Sequence, residues 1–508
     1  MEHQEFDYIV VGAGSAGNVI ARRLLDAGKS VAVLEAGEQD TNPDIVNLCT
    51  LGALWHSEQD WDYYTTEQPG ASGRRIHVPR GKVMGGSHAL NATIWVRGAR
   101  QDYDAWSYLG CPGWGWEDVL PYFEKIEAYD GDAAPGRGTD GPLDVTTRYE
   151  RNPIQEAMLD GAVEAGHRLN EDYNSGDPEG VSRMQLNLRD GNRFNTWHAY
   201  LRPVADHERL TLLTGARVHR LVVEDGTVSG VEVRIDGGTR VLRAGETILA
   251  AGAINSPEVL LRSGIGPAAE LEAAGVVPVH ELPGVGKNLQ DHLLSPVIFT
   301  TDRPVPAPTV APAEVHLFAK SSPDLDVPDT QPIFFSVPMY SQGYAGGEMS
   351  GADGGFSMLG GLVRPQSRGE ITLTGPELED PIAIDLAALA EQADVDALVA
   401  SVRHCREIGR TEALAAWGAR EVHPGPEVSD DDLERYVRDS VVTYHHQVGT
   451  CRMGLDSGAV VDPRTLKVRG LEGVRVADAS VMPLVPTGNT NAPSVMIGER
   501  LAALLVDA

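Results

Sequence analysis

Cysteine is scarce in this sequence: the 508 residues include only Cys49, Cys111, Cys405 and Cys451, far apart and with no C-x-x-C pair. Neither a disulfide framework nor a metal site is expected, and a reducing compartment suits the pattern. Basic residues are in deficit, with 42 Lys and Arg against 73 Asp and Glu and a net charge of −31. Such a surface repels phosphate backbones and anionic lipids, so nucleic acid is not an expected partner. Long apolar runs are missing too; none approaches the roughly 18 residues of a membrane span. Met1 to Asp7 is acidic and leads straight into a strand-like run, without the basic and apolar regions of a signal peptide. The expectation is a cytoplasmic protein with no membrane partner. No repeat of fixed period is present, which argues against a solenoid or propeller. Aromatic residues are 6% of the chain, so nothing indicates an extensive aromatic cage for a quaternary ammonium group, although a few placed rings would suffice.

What is present is ordinary globular material: 42% hydrophobic residues, 23% charged, 56 Gly and 32 Pro. The length suits about three domain equivalents, which α/β enzymes often fuse into two lobes. Pro304, Pro306, Pro308 and Pro312 make 302–312 unsuitable for a helix or central strand, and a lobe boundary is placed there. Downstream, Gln331 to Met339 reads as a strand. The glycine-rich run 340–356 reads equally as a surface loop or as a lid over a pocket. Gly369 to Thr374 reads as a strand, and Ile384 to Thr411 as mostly helix, from apolar spacing around Leu389, Val395, Leu398 and Val402.

The strongest local signal is at the start. Asp7-Tyr-Ile-Val-Val-Gly12-Ala-Gly14-Ser15-Ala16-Gly17 is a buried-type strand running into G-x-G-x-x-G, and an amphipathic helix follows from Asn18. Gly12 permits the tight turn, Gly14 lets backbone approach a pyrophosphate, and Gly17 lets helix pack on strand. A second strand, Ser30-Val-Ala-Val-Leu-Glu35, ends in a carboxylate 18 residues after Gly17. Glu35 can accept from both ribose hydroxyls, and its charge disfavours an extra 2′-phosphate. These residues predict a bound dinucleotide and do not separate NAD from FAD.

Three distant segments then resemble the glucose-methanol-choline (GMC) oxidoreductases, which bind FAD. They are Gly81-Lys-Val-Met-Gly85-Gly86-Ser87-His88-Ala-Leu90-Asn91-Ala92 and its continuation to Gly98; Gly252-Ala-Ile-Asn255-Ser256-Pro257 to Gly266; and His446-Gln-Val-Gly449-Thr450 with Val476-Ala-Asp478-Ala479 and Gly488-Asn489-Thr490-Asn491-Ala-Pro493. Smaller matches, among them Asn288-Leu-Gln-Asp291-His292, extend the likeness over nearly the whole chain. The resemblance implies an FAD with its pyrophosphate at Gly12 to Gly17, its adenosine ribose at Glu35 beside Ala36, and its adenine near Val218. The flavin end would lie by Gly85, Gly86, Ser87, Asn91 and Ala92, with Ala251, Asp478, Ala479, Asn489 and Thr490 completing the contacts. Asp478 reads as the family's acid near the ribitol and pyrophosphate, or as a helix N-cap, or both. Some relatives attach the flavin through a histidine; Leu90 stands at that position here, so FAD is expected to be non-covalent. His88 reads as a packed, hydrogen-bonded residue or as a cofactor contact.

Oxidising an alcohol with a flavin needs a hydride acceptor and a group that takes the hydroxyl proton. By resemblance His446 is that base and Asn489 the second member of the pair, donating its amide to the substrate oxygen; a turn-forming role for Asn489, with Asn491 as fallback, is the other reading. Strand alternation would turn His445 and His446 to opposite sides, leaving His445 a supporting role. The implied reaction takes an alcohol, primary by preference and including aromatic or furan-type ones, to an aldehyde or ketone by hydride transfer to flavin N5. Oxygen or another acceptor reoxidises the flavin. An FAD-dependent lyase or photodecarboxylase on the same fold is the alternative. The expected fold is α/β (α+β): a Rossmann-like FAD-binding domain from 1–150, 205–300 and 441–508, with a substrate-binding domain on a mostly antiparallel sheet from 151–204 and 301–440.

Overall fold

A computed structural model describes residues 5–132, 134–339 and 354–506. Two seven-stranded sheets organise the chain. The first has the order Leu210–Leu213, Val31–Leu34, Glu5–Val11, Gly238–Leu249, Thr227–Ile235, Arg217–Glu224, with Val474–Val476 added beside the far end of Gly238–Leu249. Its central strands are parallel. Ile9, Val10, Val31 and Val33 are buried, as the uninterrupted β-branched runs of a sheet covered on both faces require.

Register makes this sheet a platform. Val11 lies level with Leu34 and Leu249, and Leu249 with Val476. The residues that follow each strand therefore gather at one edge: Gly12, Glu35, Ala250 to Gly252, and Ala477 with Asp478. That carboxyl edge is where open α/β sheets take their ligands. Helix Ser15–Asp26 starts there and packs against the C-terminal helix Asn491–Val506. Gly17 is needed at that junction, because a Cβ on it would lie 1.9 Å from the Gly12 carbonyl oxygen.

The second sheet is antiparallel throughout, in the order Arg420–His423, Leu293–Thr300, Gly355–Leu362, Ile333–Phe335, Ala313–Phe318, Gly180–Arg183, with Val442–Thr443 on the start of Leu293–Thr300. Its strands alternate between two clusters. Phe334 and Met358 join the core that includes Val395, Leu398 and Val402 of helix Gln392–Gly409, while Ile333, Phe335 and Leu359 join a second cluster around Tyr444.

Several local expectations hold and some need correction. The proline-rich stretch 302–312 forms neither helix nor strand, and Glu370–Leu373 is a strand as expected. The strand expected over Gln331 to Met339 is confined to Ile333–Phe335, since Pro332 and Pro338 bracket it and lack the N–H a ladder needs. The helix expected from Ile384 begins only at Gln392. Ile382–Asp385 pairs instead with Glu370–Leu373, and Ala387 and Leu389 follow with positive φ of 50° and 55°, which no helix accepts. Most of the run considered as a lid, residues 340–353, lies outside the described residues. Among the described residues no helix is long and apolar enough to cross a membrane.

Gly17→Ala is expected to destabilise the fold by about 1–3 kcal/mol, the range for overpacking a tight junction. Calorimetry would register a lowered melting temperature; an unchanged one would contradict this packing.

Candidate functional site

A cavity of about 1030 Å³ is lined by residues of both sheets, at the upper end of the roughly 300–1,000 Å³ typical of ligand pockets. Of the residues named from sequence, Gly12, Gly14, Ser15, Ala16, Glu35, Ala36, Gly86, Ser87, Asn91, Ala92, Val218, Ala251, Asp478, Ala479, Asn489, Thr490 and His446 all line it. Gly17 and Gly85 do not. Gly17 serves the packing described above, and the Gly85 amide donates to the Ala13 carbonyl at 2.8 Å, tying its loop to the glycine-rich turn.

One end of the cavity suits a dinucleotide. Helix Ser15–Asp26 starts after Gly14 with no side-chain cap, so its first N–H groups are left for an anion. Gly86, at φ +55°, meets this turn so closely that a Cβ on it would lie 2.8 Å from the Gly14 Cα. Glu35 is buried and accepts from the amides of Ala13 (3.0 Å) and Gly37 (2.9 Å). Burial still lifts its carboxyl to about 7 against those N–H groups. Asp478 caps the turn Ala479–Val481 through Ser480 N (2.8 Å) and with its other oxygen accepts from Ser256 Oγ (2.6 Å) and Gly252 N (2.8 Å). The N-cap reading therefore holds, and the same carboxylate borders the cavity. These features fit a long ligand carrying phosphate charge and a ribose.

The loop Gly86–Ala92 is held from behind by Arg193, which sequence reasoning missed. Its guanidinium donates to the carbonyls of Ile45 (2.6 Å), His88 (3.2 Å) and Asn91, and to Asn91 Oδ1 (2.9 Å). Burial pulls this arginine down to about 9. His88 is fully buried off the cavity, 3.2 Å from Asn491 Nδ2, and accepts from Thr196 N at 3.3 Å. It is the packed residue of the two readings. Asn491, the fallback, also lines the cavity and accepts from Ser15 Oγ at 2.7 Å, which ties the two helices together.

The other end holds the expected pair. His446 Nε2 lies 3.1 Å from Asn489 Nδ2, and His446 Nδ1 lies 3.0 Å from His292 Nδ1. Asp291 secures this segment, accepting from His446 N (2.8 Å), Gln447 Nε2 (2.5 Å) and the Thr443 hydroxyl. The Asn288-Leu-Gln-Asp291-His292 match thus supplies supports for His446, a role its sequence did not disclose. Tyr444 stacks on the imidazole with ring centroids 4.5 Å apart. Burial, with His292, His445 and Arg80 nearby, holds His446 well below its ordinary 6.5.

The alternation expected of His445 and His446 fails: both line the cavity. The strand ends at Thr443, and His445 takes φ +67°, a left-handed turn held by its own N–H to Thr443 Oγ1 (2.8 Å) and by Arg80 on its carbonyl (2.6 Å). His56, Asp62 and His77, also near this cavity, bring three ligand atoms within 4.8 Å of one another, but Asp62 already pairs with both rings and two of the three are exposed.

A cavity with free helix N–H groups at one end and a histidine–asparagine pair at the other is compatible with an oxidoreductase that holds an organic cofactor. Models described as GMC oxidoreductase match residues 6–294 and 365–498, and the chain belongs to that family. It is 36% identical to an alcohol dehydrogenase [acceptor] of Pseudomonas putida, over 99% of this chain and 96% of that one. It is 35% identical to an oxygen-dependent choline dehydrogenase of Rhizobium etli, over 98% of this chain and 94% of the relative. Among solved structures, pyridoxine 4-oxidase from Mesorbium loti superposes with a TM-score of 0.95 at 35% identity, covering 99% of this chain and all of that one.

Hydrogen bonds to a charged group are worth about 1.5–3 kcal/mol, so Glu35→Gln is expected to weaken FAD binding by about 10- to 100-fold. Ribose hydroxyls favour the carboxylate, so wild-type affinity should fall as pH drops through about 7, and Glu35→Gln should lose that dependence. Fluorescence titration of cofactor-free protein tests both; equal affinity in the two proteins would remove Glu35 from the ribose site.

Proposed function

We propose that the protein oxidises a neutral, apolar alcohol, primary by preference, to the carbonyl compound, with FAD held without a covalent bond. The observation that carries this reading is the His446–Asn489 pair, 3.1 Å apart and facing a cavity whose other end suits a dinucleotide. Gly12 to Ala16 would hold the pyrophosphate and Glu35 with Ala36 the ribose, with Val218 by the adenine. Gly86, Ser87, Asn91, Ala92, Ala251, Asp478, Ala479 and Thr490 would hold the rest. Bound there, FAD supplies the hydride acceptor that no side chain can provide. Leu90, on the cavity wall, has no atom that could bond to it covalently.

The chain's own part is to bind the alcohol and move one proton. The His446–Asn489 hydrogen bond is worth only about 1 kcal/mol net, so a substrate hydroxyl can replace it, donating to Nε2 while accepting from the amide. Because its pKa is held low, His446 is unprotonated and ready to accept at neutral pH. Asn489 then stabilises the negative charge that develops on oxygen. Tyr444 keeps the ring in plane from one side.

Lining residues favour an uncharged substrate. Ile94, Leu294, Ile333, Phe335, Leu359 and Val442 share one apolar cluster with Tyr444. Among the described residues the acids that line the cavity are Glu35, Glu258 and Asp478, each belonging to the first sheet's side and already hydrogen-bonded. A quaternary ammonium group beside Tyr444 would find no counter-charge in that cluster, and Arg80 is a cation near His446. The reading thus parts from the choline dehydrogenases among the relatives. None of the relatives named above is a lyase or decarboxylase.

His446→Ala should retain FAD yet lose about 10² to 10⁴-fold in the rate of anaerobic flavin reduction; an unaltered rate would strip it of the role. In wild type the acid limb of that rate should fall below pH 6.5, since the base is depressed from that value; a limb at or above it would contradict the assignment. In a panel of alcohols, benzyl alcohol and hexanol should exceed choline by at least about tenfold in kcat/KM, roughly 1.4 kcal/mol of discrimination. The reverse order would refute the apolar reading.

A further inference from the structure

Two polar side chains behind the pair play no part in the chemistry derived so far. Gln331 and His316 are fully buried and neither lines the cavity. They sit side by side on neighbouring strands of the second sheet, His316 in register with Ile333 and Gln331 just ahead of that strand. Polar groups left in such a core are destabilising by about 1–3 kcal/mol unless satisfied, so their presence calls for a reason.

They continue a chain of contacts. Gln331 Nε2 lies 3.2 Å from His316 Nδ1 and donates to Asn489 Oδ1 at 3.2 Å; the chain then runs through Asn489 Nδ2 to His446 Nε2 and from His446 Nδ1 to His292 Nδ1. An amide can be laid either way round, so two complete assignments of donors exist. In one, the Asn489 NH₂ faces a bare His446 Nε2, and the imidazole proton is on Nδ1, given to His292. In the other, the Asn489 carbonyl faces a protonated Nε2, and the base has no lone pair for the alcohol.

The ends of the chain choose between them. Val363 already uses its amide on Asp329 O (2.8 Å), so it offers His292 only a carbonyl. That carbonyl favours a proton on His292, although His292 Nε2 forms no full hydrogen bond. His292 then carries its proton on Nε2 and accepts from His446 on Nδ1. At the opposite end, a Gln331 nitrogen 3.2 Å from both Asn489 Oδ1 and His316 Nδ1 can give one N–H to each, which agrees with the same sense.

We propose that Gln331, backed by His316, is a positioning residue. It holds the Asn489 amide with its nitrogen toward His446 and so fixes which ring nitrogen of His446 is free to take the alcohol proton. The inference rests on His446 being the base, and its test has a readout that does not depend on turnover.

Ring-nitrogen NMR of histidine-labelled protein, with His446 identified by its loss in His446→Ala, should show a protonated Nδ1 and a bare Nε2. In Gln331→Glu, read at a pH high enough to ionise the buried carboxyl so that it can only accept, the Asn489 amide turns round and the proton moves to Nε2. In anaerobic flavin reduction, Gln331→Met should lower kcat about 10- to 100-fold with less than about a threefold change in KM. In an Asn489→Ala background it should add nothing, because it acts through that amide. A protonated Nε2 in wild type, a bare Nε2 persisting in Gln331→Glu, a Gln331→Met enzyme equal to wild type, or losses that multiply with Asn489→Ala would each overturn the proposal. Should both Gln331 variants fail to fold, His316→Phe, which removes the second acceptor, should give a mixed tautomer signal, and a wild-type signal there would overturn it. A wild-type protein that no alcohol reduces would defeat the functional reading, and the NMR result alone would then decide the role of Gln331.

Discussion

The site depends on the level alignment of parallel strands in the first sheet. With Val11, Leu34, Leu249 and Val476 in step, a glycine turn, a carboxylate, a helix start and a second carboxylate emerge side by side from segments as far apart in the chain as Gly12 and Asp478. A one-residue slip in any of these strands would exchange the side chains packed on its two covered faces and move its functional residue away from the edge. The apolar runs that fix the register are thus as much a part of the site as Glu35 or Asp478.

A second constraint acts at the other end, where polar chemistry is set inside an apolar wall. Burial keeps His446 neutral at physiological pH, which a base requires, but it also makes each unpaired donor or acceptor expensive. The structure answers with continuity: Gln331, Asn489, His446 and His292 contact one another in a line that runs from just ahead of strand Ile333–Phe335 to just ahead of strand Leu293–Thr300. Asp291 satisfies the backbone that carries the base. The low pKa of His446 is a result of the same burial.

How much of this was legible in the sequence follows from the range of each interaction. Gly12, Gly14 and Glu35 could be named because their strand–glycine–helix–strand motif is contiguous, whereas His446 and Asn489 were named only through the resemblance to the GMC oxidoreductases. Helix Ser15–Asp26 and strand Glu370–Leu373 were legible for the same reason of short-range periodicity. Gln331 and Arg193 were not, because Asn489 lies 158 residues from the one and Asn91 lies 102 from the other, and the remaining partners of Arg193 are backbone carbonyls that any sequence supplies. His445 was misjudged because its positive φ is imposed by Arg80 and Thr443, which strand alternation cannot anticipate. The late start of helix Gln392–Gly409 has a like cause: pairing with Glu370–Leu373 overrides the apolar spacing near Ile384.

The central claim is that one hydroxyl is held between an imidazole acceptor and a carboxamide donor at the apolar end of the cavity. A crystal structure of the FAD-loaded protein with benzyl alcohol bound tests it most directly. The account predicts the alcohol oxygen within hydrogen-bond distance of both His446 Nε2 and Asn489 Nδ2, with the ring among Ile333, Phe335 and Tyr444. An alcohol seated elsewhere in the cavity, or an oxygen out of reach of His446, would contradict it.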